Sequence, residues 1–145
     1  MPESFPSIGS AMASPGNDVI IVSVPARAGT VHVLRAVTTS VAARLPISFD
    51  GIEDLRLAVD EACAWLLARG GSATAMTLRL RPLDDRLEAE VSIDDADGPW
   101  PPPDLEQSLP WRILSALVDT LSLNTDAGGP SILLTKRTLE PSRTT

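Results

Sequence analysis

The hydrophobic and polar positions of the chain fall into a few periodic runs separated by proline and glycine. Val19-Ile20-Ile21-Val22-Ser23-Val24 is a β-branched run stopped by Pro25, which predicts a first strand. The period then changes. Val31, Leu34, Thr38, Val41 and Leu45 return to one line at about 100° per residue, so a helix is expected from Gly29 to Leu45, closed by Pro46. A second helix is marked at both ends: Asp50 as cap, Glu53 three residues later as in a capping box, and Gly70-Gly71 as terminator. Its buried stripe is Ile52, Leu55, Val59, Ala62, Cys63 and Leu66. Strict alternation follows. Met76, Leu78 and Leu80 face one way and Thr77, Arg79 and Arg81 the other. Leu87, Ala89, Val91 and Ile93 then alternate with Glu88, Glu90, Ser92 and Asp94, the two strands joined as a hairpin through Pro82-Leu83-Asp84-Asp85.

Residues 94–110, DDADGPWPPPDLEQSLP, have five prolines and five acids and no period, which predicts an irregular loop of a length that is often functional. A third helix is expected from Trp111, Leu114, Leu117, Val118 and Leu121. Gly128-Gly129-Pro130 then turns into a last strand, Ser131 to Arg137. The order β-α-α-β-β-loop-α-β predicts an α+β two-layer sandwich, with three helices on one face of a mostly antiparallel sheet of four or more strands. The aperiodic Pro, Ser and Gly of residues 1–17 predict a mobile tail, 18–139 the domain, and 140–145 a second tail.

Composition narrows what such a domain could do. The chain has 145 residues, enough for one core, and its mean hydropathy of +0.10 is compatible with a folded domain. Three Trp, two Phe and no Tyr make a mostly aliphatic core and argue against base-stacking platforms for single-stranded nucleic acid. A net charge of −7 repels phosphate backbones and anionic lipid, so no direct nucleic-acid partner is expected. A lone Cys63 cannot form an internal disulfide and a lone His32 cannot build a histidine metal cluster. With no leader-like start and no long apolar run, the expected compartment is the cytoplasm, without a membrane partner.

The segment Asp54-Leu55-Arg56-Leu57-Ala58-Val59-Asp60-Glu61-Ala62-Cys63, with Ala116-Leu117-Val118-Asp119 and the final G-G…L-T-K-R, resembles the anti-sigma-factor serine kinases of bacterial stress and sporulation control. That family has the ATPase fold shared with histidine kinases, gyrase and Hsp90, and the similarity covers about residues 18–138. It implies that Glu61 is a general base and that the position four residues on holds Mg²⁺ near the triphosphate through an Asn; here that position is Trp65. An indole offers a donor N–H and no oxygen for a hard cation. Apart from the resemblance, Glu61 reads equally as a solvated helix acid, and Trp65 reads best as a packing residue.

A second family box, D-x-G-x-G, reads the adenine amino group with its Asp and lets the backbone approach with its glycines. Asp95 matches the Asp, Asp97 and Pro99 take the glycine positions, and only Gly98 lies between them. Asp95 also reads as a turn-forming or capping acid. The third box, a Gly-rich turn opening the last helix, corresponds to Ser108-Leu109-Pro110-Trp111-Arg112. There Pro110 removes one N–H, and Arg112 is either a phosphate contact or a solvated cation. Pro99-Trp100-Pro101-Pro102-Pro103 stands where the family has a flexible ATP lid. On the first helix, Arg35 matches an Arg that in the family contacts both the sigma factor and its antagonist.

Together these imply an anti-sigma factor that sequesters an alternative sigma factor. The same resemblance implies that an anti-anti-sigma protein of STAS type antagonises it and that the chain is a homodimer. ATP and Mg are the family's cofactors, and with three boxes altered the expectation is weak ATP binding and little or no kinase activity. An active serine/threonine protein kinase built on Glu61 and a degenerate adaptor with other partners are the alternatives.

Overall fold

A computed structural model describes residues 18–69, 71–126 and 129–139; the expected tails at 1–17 and 140–145 lie outside the described residues. Strand β1 (Ile20–Pro25) leads through a single 3-10 turn at Ala28–Thr30 into helix α1 (Val31–Ala42), which is followed by helix α2 (Phe49–Ala68). Strands β2 (Ala75–Pro82) and β3 (Arg86–Ile93) form the expected hairpin. The acidic, proline-rich loop follows, with one 3-10 turn at Leu105–Gln107. Then come helix α3 (Leu109–Leu117) and strands β4 (Thr120–Asp126) and β5 (Gly129–Arg137). No helix among the described residues is long and apolar enough to cross a membrane.

The five strands pair antiparallel in the order β1-β2-β3-β5-β4. Because side chains alternate across a strand, the register lines up apolar rows on one face. One row runs Val22, Leu78, Val91, Ile132, Leu123, and the next runs Ile20, Leu80, Ala89, Leu134, Leu121. The helices cover this face, so Leu34, Leu55, Val59, Leu66, Met76, Leu78 and Ile132 are inaccessible to water. The opposite face is mixed: Arg79 stands across from Glu90 and Arg81 Nη2 meets Glu88 Oε1 at 2.8 Å, while Ile21 and Leu133 flank the Arg79–Glu90 pair. The architecture is the two-layer α+β sandwich that the periodicity predicts.

Three boundaries differ from the sequence reading, each for a local reason. Helix α2 is capped by Ser48, not Asp50: Ser48 is extended (φ −63°, ψ 157°) and its Oγ accepts from the N–H of Gly51 at 2.9 Å. Asp50 lies inside the first turn, and Glu53 is drawn to Arg56 at 2.9 Å instead of closing a capping box. Helix α1 ends at Ala42, with Arg44 and Leu45 bonded back in 3-10 fashion to Val41 and Ala42.

The third difference adds a strand. Helix α3 stops at Leu117, where Val118 turns extended, so Leu121 belongs to β4 and pairs with Leu134. The helical stripe through Leu121 was also a strand pattern, Leu121 and Leu123 alternating with Thr120, Ser122 and Asn124. Long-range pairing decides between them: the Asp119 N–H donates to Thr135 O, its Oδ2 accepts from the Arg137 N–H, and Lys136 Nζ donates to the terminal helix carbonyl of Leu117 at 3.0 Å.

Candidate functional site

Helix α2 carries Asp60, Glu61 and Trp65 within its second half. Glu61 is half-buried and takes part in none of the hydrogen bonds or ion pairs found among the described residues. Trp65 is only 7% exposed. Its ring meets that of Trp100 edge-on, with centroids 5.5 Å apart and 65° between the planes, a favourable geometry for two ring quadrupoles. The Trp100 Nε1–H donates to the carbonyls of Asn124 at 3.1 Å and Ser131 at 3.4 Å, and the Trp100 carbonyl accepts from Thr125 Oγ1. From the end of α2, the guanidinium of Arg69 lies 5.8 Å from the Trp100 ring centre and its Nη2 donates to Pro99 O. The N–H of Asp97 donates to Arg69 O at 2.7 Å. The loop after β3 is thus fastened to α2 on one side and to β4 and β5 on the other.

Asp95 is exposed and Gly98, with φ +81°, opens onto free space. Arg112 is exposed on the first turn of α3. Neither Asp95 nor Arg112 is brought into contact with Glu61 or Trp65 by any hydrogen bond or ion pair among the described residues. The acid that the loop does engage is Asp94, whose carboxylate accepts from the N–H and Oγ1–H of Thr74 and from the N–H of Ala75. Those donors, the Thr74 hydroxyl first, hold its pKa down at about 2.

These residues do not fit a magnesium ion held from α2. The ion takes oxygen ligands in a near-octahedral set, whereas the Trp65 position offers a ring packed against a second ring. Nor is the start of α3 a phosphate cradle. Pro110 has no N–H, and that of Trp111 is directed at the Ser108 cap, so two of the first three helical positions offer nothing to an anion.

A second region lies on the outer side of the helical layer. Arg35 of α1 reaches α2, its Nε 3.1 Å from Asp60 Oδ1, both atoms shielded from water. His32, Arg35, Ala36, Thr39 and Ser40 of α1 line one shallow open groove with Arg56 of α2. Cys63, one turn beyond Asp60, is buried. Burial first and the Asp60 charge second push its thiol up to about 12.

A five-stranded antiparallel sheet covered on one face by helices, a long second helix bearing Glu61, and a glycine-containing acidic loop after the central hairpin make up a two-layer α+β domain. The chain belongs to the histidine kinase-like ATPase domain family, whose profile matches residues 24–136. Among characterised relatives it is similar to the anti-sigma-F factor RsbW of Mycobacterium tuberculosis, with 29% identity over 119 residues, 81% of this chain and 68% of the relative. It is also similar to the serine-protein kinase RsbW of Halalkalibacterium halodurans, 28% over 127 residues, covering 77% of this chain and 78% of that one. The serine-protein kinase RsbW of Bacillus subtilis is 34% identical over 87 residues, 56% of this chain and 52% of its own length.

The sequence pattern does not single out Asp94, Arg69, the role of Trp100 or the pairing of Asp60 with Arg35. For Asp94 a signal was present: started at Asp94, the D-x-G-x-G box finds Ala96 and Gly98 at its glycine positions. The contacts of Trp100 had no such signal, since its partners are main-chain carbonyls on strands distant in sequence.

Proposed function

We propose that this chain is an anti-sigma factor, holding an alternative sigma factor through the α1 face around Arg35 and releasing it to an anti-anti-sigma protein of STAS type, as a cytoplasmic homodimer. The observation that carries the reading is the Arg35–Asp60 pair. The Asp60 carboxylate lies beside Nε as an ion pair without a hydrogen bond and holds the guanidinium at the margin of the groove, which leaves its terminal nitrogens to meet a partner's carboxylate. The names of the relatives, anti-sigma-F factor and serine-protein kinase, support the same class of role.

We assign Glu61 the role of a general base and Asp95, Gly98 and Arg112 those of nucleotide contacts, Gly98 lying between the two glycine positions of the family box. In this reading they support at most weak ATP binding, because no oxygen ligand stands at Trp65. Antagonist abundance, or phosphorylation of the antagonist by another enzyme, then sets partner release. The experiment is co-purification of the tagged chain from its own cells with mass-spectrometric identification. A sigma factor in the eluate is the expected result, and absence of every sigma factor from an abundant, folded bait overturns the reading.

The half-buried Glu61 and the relatives named as serine-protein kinases favour one second reading, an active protein-serine kinase. Phosphate transfer to the antagonist that is lost in Glu61→Gln would establish it.

A further inference from the structure

The fold family implies a nucleotide beside the second helix, and the side chains found there disagree with one. Trp65, at the position where the resemblance implies a metal-holding Asn, is 7% exposed and faces another indole in place of solvent. That second indole comes from the loop whose counterpart in the family is a flexible lid. Trp100 is held by contacts of three kinds. The ring meets the Trp65 ring and the Arg69 guanidinium, the Nε1–H reaches the Asn124 and Ser131 carbonyls, and the backbone carbonyl accepts from Thr125 Oγ1. An aromatic face, a cation above a ring and main-chain acceptors for a ring N–H are the features by which a pocket recognises a flat heteroaromatic ligand.

We propose that Trp65, Arg69 and the carbonyls of Asn124 and Ser131 form an aromatic binding seat that the chain fills with its own Trp100 in place of a nucleotide. The loop is thereby held in one position without ATP, and the fold is complete in the absence of any nucleotide. An intramolecular occupant has a high effective concentration and brings no translational cost, so a free nucleotide that lacks an oxygen ligand for its metal competes poorly with it. Two neighbouring contacts reinforce the closed arrangement: Asp97 N–H to Arg69 O, and Arg69 Nη2 to Pro99 O.

The test is thermal melting of the full chain and of Trp100→Ala, each alone, with millimolar Mg-ATP or ADP, and with millimolar indole. It needs no partner protein, so it can succeed or fail independently of the anti-sigma reading. The parent is expected to melt at the same temperature with and without nucleotide. Trp100→Ala is expected to melt several degrees lower and to recover part of that loss with indole, which leaves the parent unchanged. Stabilisation of the parent by nucleotide overturns the proposal. So does an alanine variant that melts like the parent, or one that indole does not raise. Should the alanine variant not fold, Trp100→Phe decides, since it keeps a ring and removes the donor: it melts below the parent if the carbonyl bonds hold the indole, and level with it if they do not.

Discussion

Arg35 Nε lies 3.1 Å from Asp60 Oδ1, joining the first helix to the second at the edge of a groove that both helices line with basic side chains. The two side chains are 39% and 31% exposed, so solvent screens the pair and its share in folding stability is small, about 0.2–1 kcal/mol. Its value lies in orientation. Arg35→Ala is therefore expected to change the melting temperature little while weakening sigma-factor binding by at least about tenfold, the loss of one charge-assisted contact. Asp60→Asn, which frees the guanidinium without removing it, is expected to weaken binding less. Calorimetric titration of both variants against the captured sigma factor measures the two effects.

Ser48, and not Asp50, holds the start of α2. Ser48→Ala is expected to lower stability by about 1 kcal/mol, the usual worth of an N-cap side chain. Asp50→Asn removes only a charge near the positive end of the helix, worth about 0.3–1 kcal/mol at low salt and less at high salt. Urea unfolding at two salt concentrations separates the two. A larger loss for Asp50→Asn would return the cap to that residue.

The pKa of Asp94 is lowered from 3.8 to about 2 by hydrogen bonds from Thr74 and Ala75. A depressed carboxyl stabilises the fold above its unfolded value and loses that contribution as pH falls through the folded one. The part of the acid sensitivity due to Asp94 is thus expected between pH 3.8 and about 2. Asp94→Asn should be less stable at neutral pH and show a flatter stability profile across that window, read by urea midpoints at successive pH values.

Cys63 illustrates the opposite shift. Burial, then the charge of Asp60, raises its thiol from 9.0 to about 12. The native chain keeps its proton where the unfolded chain loses it, so stability is expected to fall as pH rises from 9.0 towards about 12. At pH near 8, reaction with a thiol reagent should follow global unfolding, because the nucleophile is the thiolate and the native thiol is both protonated and inaccessible. Rapid labelling of the folded chain would contradict this.

What the sequence made legible follows from the range of the interactions involved. β1, the β2–β3 hairpin, α1, α2 and β5 are marked by period, proline and glycine, all read within one element, and they appear within a few residues of their expected bounds. β4 was hidden because Leu121 satisfies a helical stripe and a strand alternation equally. Its pairing with β5, which no local pattern states, settles the choice. In the site, the mismatch of Trp65 with a metal ligand is visible in one residue type. The closure by Trp100 is not, because it is made by carbonyls that every residue possesses and by a cation–ring approach that depends on where α2 ends. Asp94 and Asp95 stand side by side, and only the donors at the start of β2 distinguish them.

The most direct measurement of the central claim is a quantitative pull-down of the parent chain and Arg35→Glu from lysate of its own cells, each with and without Mg-ATP, with sigma factors counted by mass spectrometry. The account predicts one alternative sigma factor held by the parent to the same extent under both nucleotide conditions and lost in Arg35→Glu. Equal capture by the variant, or capture by the parent that requires Mg-ATP, would contradict it.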